Sequence, residues 1–285
     1  MLSPQTDISQ DVLARLKGAS DFIFDVDLTI TNRQTDLSPE LAGVIANCGK
    51  RCGIATSRAR SELDENIDPC GIKRGELFRG PVVLEDGACV VYPGAQAPRI
   101  IADPRAALAA IKLKEHIESL ISPLIDEKGY ANLGTLSDPR VRMAPYDYKA
   151  SFSLWQRSNE TPPSYPRVMQ LVRGEARELD VEHHVELLEI GDGTLRCCPP
   201  GFNKGAALKQ LHADGILNLR ELVFFGDGRN DVPAALAVRE AGGVVVATDL
   251  HCQDLINLAD VRAPRAGFGP AFVEQLLRGL GRGER

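Results

Sequence analysis

Two short apolar runs far apart in the chain both stop abruptly at paired acids. Residues 22–24 (Phe-Ile-Phe) lead into Asp25-Val26-Asp27, and residues 222–225 (Leu-Val-Phe-Phe) lead into Gly226-Asp227-Gly228-Arg229-Asn230-Asp231. Continuous aromatic and β-branched runs bounded by turn signals predict buried strands. A third run at 53–55 ends in Thr56-Ser57-Arg58, and a fourth at 243–247 precedes Asp249. Helix-compatible stretches occupy 206–212, 233–240 and 268–280, and a polar helix-like stretch follows Asp249 up to Ala259. The last of the three stretches sets Phe272, Leu276 and Leu280 broadly on one face. Strands followed by helices predict a parallel α/β sheet, whose cleft lies beyond the carboxyl ends of the strands.

The middle of the chain has a different rhythm. Residues 81–84 and 89–92 read as two strands around the turn Glu85-Asp86-Gly87-Ala88. Pro93-Gly94 and Pro98 then mark a crossing into an insertion. Pro104, after Asp103, suits the first turn of a helix running toward Leu120. Strands are predicted at 140–143 and 151–155, a helix at 165–173, and a hairpin formed by 184–190 and 195–198 around Gly191-Asp192-Gly193. The pair His183-His184 falls in strand-like sequence, where neighbours point oppositely and do not share a ligand. Residues 158–163 read as an exposed loop, and Pro199-Pro200-Gly201 marks the return. The predicted division is a core of 1–95 and 199–285 with an inserted α/β domain at 96–198.

Composition narrows the function. The 285 residues are 44% hydrophobic and 25% charged, as in an ordinary globular protein, and the formal charge is −6. That balance, without a Lys/Arg stripe, argues against nucleic acid and for small metabolites as partners. No stretch approaches the length of a membrane helix, and residues 1–11 lack a signal-peptide pattern, which predicts a cytoplasmic protein with no membrane partner. Seven cysteines, among them the spaced pair Cys48 and Cys52 and the adjacent pair Cys197 and Cys198, are scattered and read as reduced thiols; a zinc or redox site at either pair stays open.

Asp25 and Asp27 point the same way on an extended chain and repel unless a cation or a shared proton intervenes. Magnesium, a hard ion that prefers oxygen ligands, supplies that compensation, and Asp227 and Asp231 offer further oxygens. The Thr56 hydroxyl and the turn through Ser57 and Arg58 can donate to a phosphate oxygen, and Lys204, behind Asn203, can reach the same group. Each signal also has an ordinary reading: capping acids, a helix N-cap, a solvated lysine. Together they point to phosphoryl transfer.

In order and type these residues resemble the haloacid dehalogenase superfamily of phosphatases. The resemblance implies a Rossmann-like core with a parallel sheet and an inserted mixed α/β cap, of the larger type found in sugar-phosphate phosphatases, mannosyl-3-phosphoglycerate phosphatase among them. It implies Asp25 as nucleophile, Asp27 as general acid and base, Thr56 and Lys204 as phosphate-binding groups, and magnesium held by Asp25, a backbone carbonyl at Asp27, Asp227 and Asp231. Asn230 would orient the fourth-motif loop, with Ser57, Arg58 and Asn203 lining the phosphate site. The implied activity is hydrolysis of a small phosphorylated metabolite, a sugar phosphate above all; the alternatives are a sugar phosphomutase and a non-catalytic sugar-phosphate-binding protein. In the insertion Arg140, Arg142, Tyr146 and Lys149 suit sugar hydroxyls or a second anionic group. Two positions depart from the family pattern: Leu28 and Ser57 stand where glycine is common.

Overall fold

The two acid-terminated runs lie side by side at the centre of one sheet. The computed structural model describes residues 8–32, 36–71, 74–125, 131–132, 140–144, 147–156, 165–191 and 194–281. The chain begins with α1 (Gln10–Gly18), β1 (Asp21–Phe24), α2 (Pro39–Ala46), β2 (Arg51–Ala55), α3 (Arg60–Ile67) and α4 (Arg74–Leu77). An antiparallel pair, β3 (Val82–Leu84) and β4 (Cys89–Val91), follows, then β5 (Arg99–Ile100). Next come α5 (Pro104–Ile121), β6 (Ala131–Asn132), β7 (Arg140–Met143), β8 (Phe152–Gln156), α6 (Tyr165–Glu178), β9 (Glu186–Gly191) and β10 (Thr194–Cys198). The last part is α7 (Lys204–Ala213), β11 (Leu222–Gly226), α8 (Val232–Glu240), β12 (Val244–Ala247), α9 (Gln253–Leu258), β13 (Val261–Arg262) and α10 (Gly269–Gly281).

Contacts gather the chain into two units, residues 1–99 with 203–285, and residues 100–202. The first unit holds the sheet ordered β13-β12-β11-β1-β2-β3-β4-β5, parallel from β13 to β3. A parallel sheet covered on both faces has no polar side to show. Accordingly β1 and β11 are buried at every position, and Phe24 stacks on Phe225 with ring centroids 4.5 Å apart. Register fixes what comes next: Phe24 stands opposite both Phe225 and Ile54. One or two residues further along the three strands therefore lie Asp25, Thr56 and Asp227, at the same edge of the sheet.

Tight approaches hold the elements that carry the site. A Cβ on Gly205 would lie 2.2 Å from the Pro233 carbonyl oxygen, so only glycine lets α7 seat against the start of α8. Gly87, at φ +105°, brings the β3–β4 turn against the backbone of Asn203, where a Cβ would meet that carbonyl at 2.3 Å.

The inserted unit is mixed α/β. Its antiparallel sheet runs β6-β7-β8-β10-β9. One face, with Val141, Phe152, Leu154, Leu195 and Cys197, joins Leu113 and Ile117 of α5 and Val168 and Val172 of α6 in a single core cluster. Asp103 caps α5 by accepting from the Arg105 amide at 3.1 Å, and Pro104 opens the helix as its fixed φ favours.

Three expectations change. His183 and His184 belong to a 3₁₀ turn, Glu182–His184: past the end of α6 Asp180 stands in the left-handed region and the His184 amide turns back to the Val181 carbonyl. The buried stripe of α10 is Phe272, Val273, Leu276 and Leu277, with Leu280 only half-buried. The helix expected at 165–173 continues to Glu178. Tyr146, residues 158–163, and Asp192 and Gly193 of the hairpin turn lie outside the described residues. No helix among the described residues is long and apolar enough to cross a membrane.

Candidate active site

Carboxylates are placed very differently at the two ends of β1. At its start the buried Asp21 is neutralised by Arg51, with Nε donating to Oδ1 at 2.5 Å. Past its end, Asp25, Asp227 and Asp231 bring carboxylate oxygens within 4.8 Å of one another, all three residues buried. One ammonium serves them: Lys204, with no exposed surface, donates at 2.6 Å to Asp25 Oδ1 and at 2.6 Å to Asp231 Oδ1. Asp231 Oδ2 accepts the amides of Asp227 and Gly228 at 3.0 and 3.1 Å, which fixes the turn after β11.

Three carboxylates against one ammonium leave two negative charges in a buried place. Burial, then Asp231, pushes the Asp25 carboxyl up to about 7 although Lys204 pulls it down. Burial, then Asp25 and Asp231, pushes Asp227 up to about 10. Burial works against the charge on Lys204, but Asp231 and Asp25 outweigh it and hold its pKa above the ordinary value. A cluster that resists ionisation this way fits a divalent cation. The donors are hard oxygens, the kind magnesium prefers, so these residues would hold such an ion.

The sign of the resulting pH dependence follows from linkage. A carboxyl whose folded pKa is raised binds protons in the folded state that the unfolded chain has released. Its contribution to stability is therefore favourable at low pH and falls as pH climbs from about 4 toward 7, with Asp227 extending the decline into the alkaline range. Chelated protein is expected to be more stable at about pH 5 than at about pH 8 by a few kcal/mol from these groups, and added divalent cation should shrink the difference. Urea unfolding at both pH values, with chelator and with magnesium, checks this; greater stability of the chelated protein at the higher pH would contradict it.

Asp27 is not in the cluster. Its carboxylate, 39% exposed, is held by Arg58 through two bonds, Nε to Oδ2 at 2.9 Å and Nη2 to Oδ1 at 2.6 Å. Arg58 also donates to Asn66 at 2.5 Å and pairs with Glu62 at 3.2 Å, so its fork is fixed in place. Directly after Asp27, Leu28 has φ +56°, in the region that favours glycine; the turn is closed by the Thr29, Ile30 and Thr31 amides, all donating to the Val26 carbonyl. Ser57, by contrast, has no positive φ, so its backbone accepts a side chain without strain.

Thr56 is fully buried at the end of β2, and its hydroxyl oxygen accepts the Arg58 amide at 3.2 Å. Asn203 spends its side-chain oxygen capping α7, accepting from the Ala206 amide at 2.9 Å, and so sets Lys204 as the first helical residue. Asn230 donates to Asp86 Oδ1 at 3.5 Å. In the insertion Arg142 lies over Trp155, 4.7 Å from the ring centroid, and Lys149 pairs with Asp147.

Sequence reasoning missed several neighbours. Glu85 and Asp86, taken as a plain turn, are buried and stand at φ 52° and 54°, two successive non-glycine residues in the left-handed region. Their amides donate to the Arg58 and Thr56 carbonyls at 3.1 Å each, and the Asp86 charge acts on Lys204. Such strain persists only where surroundings over-determine it, as at active sites. His251 was passed over too; its Nε2 lies 3.4 Å from Asp227 and its Nδ1 3.2 Å from Asp249. In the insertion the buried Arg196 stacks on Tyr148 at 4.7 Å.

Comparison with known proteins agrees with this geometry. A family model described as haloacid dehalogenase-like hydrolase matches residues 170–237, a stretch that includes Lys204, Asp227 and Asp231. No curated protein matches the chain. Among solved structures, a Thermoplasma acidophilum protein is 15% identical with TM-score 0.61, over 92% of this chain and 98% of that one. The C-terminal domain of C. albicans trehalose-6-phosphate phosphatase is 14% identical with TM-score 0.63, over 94% and 95%. Aspergillus fumigatus trehalose-6-phosphate phosphatase is 16% identical with TM-score 0.53, over 95% and 96%. Fold and site define a Rossmann-like parallel core with an inserted mixed α/β unit and a buried aspartate cluster, of which residues 170–237 match the haloacid dehalogenase-like hydrolase family. The hydrolase match across Lys204, Asp227 and Asp231, together with an aspartate cluster able to coordinate a divalent metal, marks the protein as an enzyme of the phosphatase kind.

Proposed function

We propose that the protein is a magnesium-dependent hydrolase of a small phosphate monoester, most naturally a sugar phosphate. The reading rests above all on the buried arrangement of Lys204 between Asp25 and Asp231, with Asp227 beside them, at the ends of adjacent parallel strands. Asp25 and Asp227 would hold the ion directly. Both oxygens of Asp231 already accept hydrogen bonds, so it serves through water and by fixing the loop. Asp27 would contribute its backbone carbonyl, its carboxylate being turned to Arg58. When bound, magnesium neutralises the excess negative charge and polarises the phosphoryl oxygens.

In the first step an Asp25 carboxylate oxygen bonds to phosphorus as the ester P–O bond breaks, and Asp27 gives its proton to the departing oxygen. In the second, Asp27 takes a proton from water, the water oxygen bonds to phosphorus, and the acyl-phosphate P–O bond breaks to restore Asp25. Lys204 offsets charge on Asp25 throughout, and the Thr56 hydroxyl donates to a phosphoryl oxygen. Arg58 holds both Asp27 oxygens, so one of these two bonds has to open when Asp27 acts as acid and base.

The sugar-phosphate class is supported by the inserted unit, where the half-buried Arg142 and Trp155 combine a donor with an aromatic side chain suited to hydroxylated rings. It is supported also by two structures of similar fold, both trehalose-6-phosphate phosphatases. The test is a phosphate-release screen across sugar phosphates and other metabolites, with and without magnesium after chelation. Magnesium-restored release of inorganic phosphate, highest on a sugar phosphate, is expected. Isomerised sugar phosphate without free phosphate would make the protein a mutase, and ligand binding without turnover would make it a binding protein.

A further inference from the structure

Cys48 and Cys52 lie at the start of β2, at the opposite end of the parallel strands from the acids, and the mechanism uses neither. Cys48 follows the end of α2, and Cys52 is the second residue of β2. Gly49, at φ +74°, takes the left-handed turn that folds the chain back between them. Their sulfurs end 3.4 Å apart in a hydrogen bond, with Cys52 buried at 2% exposure and Cys48 half-buried. Cys48 also lines a cavity of about 510 Å³, walled by Gly43, Val44 and Asn47 on one side and by Leu277 and Arg278 of α10 on the other. One sulfur is thus reachable by a small solute, and its partner waits behind it.

We propose that Cys48 and Cys52 are a dithiol modification site that is oxidised to a disulfide by a small hydroperoxide, with Cys48 as the attacking thiol and Cys52 as the resolving one. Closing the gap of 3.4 Å to a bond of about 2.05 Å asks for a shift of roughly 1.4 Å, within reach of χ rotation and the glycine turn. The chemistry balances in two steps. The Cys48 thiolate attacks one peroxide oxygen; the S–O bond forms, the O–O bond breaks, and hydroxide leaves and takes up the proton Cys48 released. Cys52 sulfur then attacks the sulfenic sulfur; the S–S bond forms, the S–O bond breaks, and the departing hydroxide carries off the Cys52 proton as water. Two thiols and one hydrogen peroxide become one disulfide and two waters.

The electrostatics fit the assigned roles. The hydrogen bond from Cys52 lowers Cys48 to about 7 against the opposing effect of burial, whereas Cys52, donating that bond and more deeply buried, is raised. A thiolate fraction at neutral pH belongs to the attacking sulfur, and a retained proton suits the resolving one.

Lys50 and Arg51 lie between the two cysteines, so trypsin separates them and a disulfide shows as two joined peptides. Full-length protein treated with one equivalent of hydrogen peroxide should give the peptide ending at Lys50 linked to residues 52–58, released by dithiothreitol. Cys52→Ser should lose the link and instead accumulate a dimedone adduct on Cys48, while Cys48→Ser should give neither. Oxidation of the half-buried Cys252 ahead of Cys48, or sulfinic acid on Cys48 with no link in the unaltered protein, overturns the proposal. Because phosphate release is not the readout, failure here is separable from failure of the hydrolase reading.

Discussion

Asp25→Asn is expected to lower phosphate release by roughly 10⁴-fold or more while the protein stays folded, because an amide cannot form the acyl-phosphate. The substitution keeps an oxygen for the Lys204 bond of 2.6 Å, so stability should move by about 1 kcal/mol or less. Asp27→Asn is the informative companion. Protonation of the leaving oxygen matters for an alkyl ester and hardly at all for an aryl ester with an acidic phenol. On p-nitrophenyl phosphate the variant should therefore release a burst of phenol close to the enzyme concentration and then stall, since no base remains to activate water. Rapid-mixing absorbance reads the burst. Full activity of Asp25→Asn on either ester, or no burst with Asp27→Asn, would remove the roles given to these two residues.

How far such a site is legible in sequence depends on which physical signal carries each part. The strands ending at Asp25 and Asp227 announce themselves because a parallel sheet buries both faces, so their apolar runs are unbroken and the first acid marks the edge. Side-chain partnerships do not announce themselves. Taken alone Lys204 reads as a solvated lysine, and only beside the other motifs as a phosphate-binding group; its burial could not be read, because its charge is met by acids 179 and 27 residues away. Arg58 reads as a phosphate ligand, and its fork is instead taken up by Asp27. Glu85 and Asp86 are not glycines, yet they adopt a left-handed turn; it is held by their amide bonds to the Arg58 and Thr56 carbonyls and by the packing of Gly87 on Asn203.

Short helices escaped for a different reason. α1 and α2 have 9 and 8 residues, too few turns for a hydrophobic stripe to repeat, although each is marked at its start by a serine whose side-chain oxygen accepts an amide, Ser9 and Ser38. Pro39 at the start of α2 was a further readable sign. The insertion was legible where its strands alternate: Val141, Phe152, Leu154, Leu195 and Cys197 face one core, while Arg142, Trp155 and Arg196 occupy intervening positions. Alternation tells which residues share a face and nothing about which polar ones meet, so the stacking of Arg196 on Tyr148 could not be read.

Lys204→Met is the substitution expected to cost the most stability, with a smaller loss of turnover than Asp25→Asn beside it. Methionine fills much of the lysine volume, so the loss isolates the charge. Removing one partner from a buried ionic cluster typically costs about 3–5 kcal/mol, because the remaining carboxylates keep their desolvation penalty without its compensation. Here two carboxylates lose a 2.6 Å partner at once, and Asp227 stands beside them. Turnover should fall by roughly 10²- to 10³-fold, the scale of losing one preorganised electrostatic contact at a reacting group. The destabilisation should also depend on pH with a defined sign. Without the ammonium that pulls Asp25 down, the folded variant favours its protons still more, so the deficit against the unaltered protein is largest at alkaline pH and narrows as pH falls through neutrality. Lys204→Arg should fail to rescue, since the position has no exposed surface to admit the larger guanidinium. Urea unfolding at about pH 8 and about pH 5, in chelator and in magnesium, separates these effects. A variant within about 0.5 kcal/mol of the unaltered protein at the higher pH in chelator would mean that Lys204 does not carry the charge balance of the cluster.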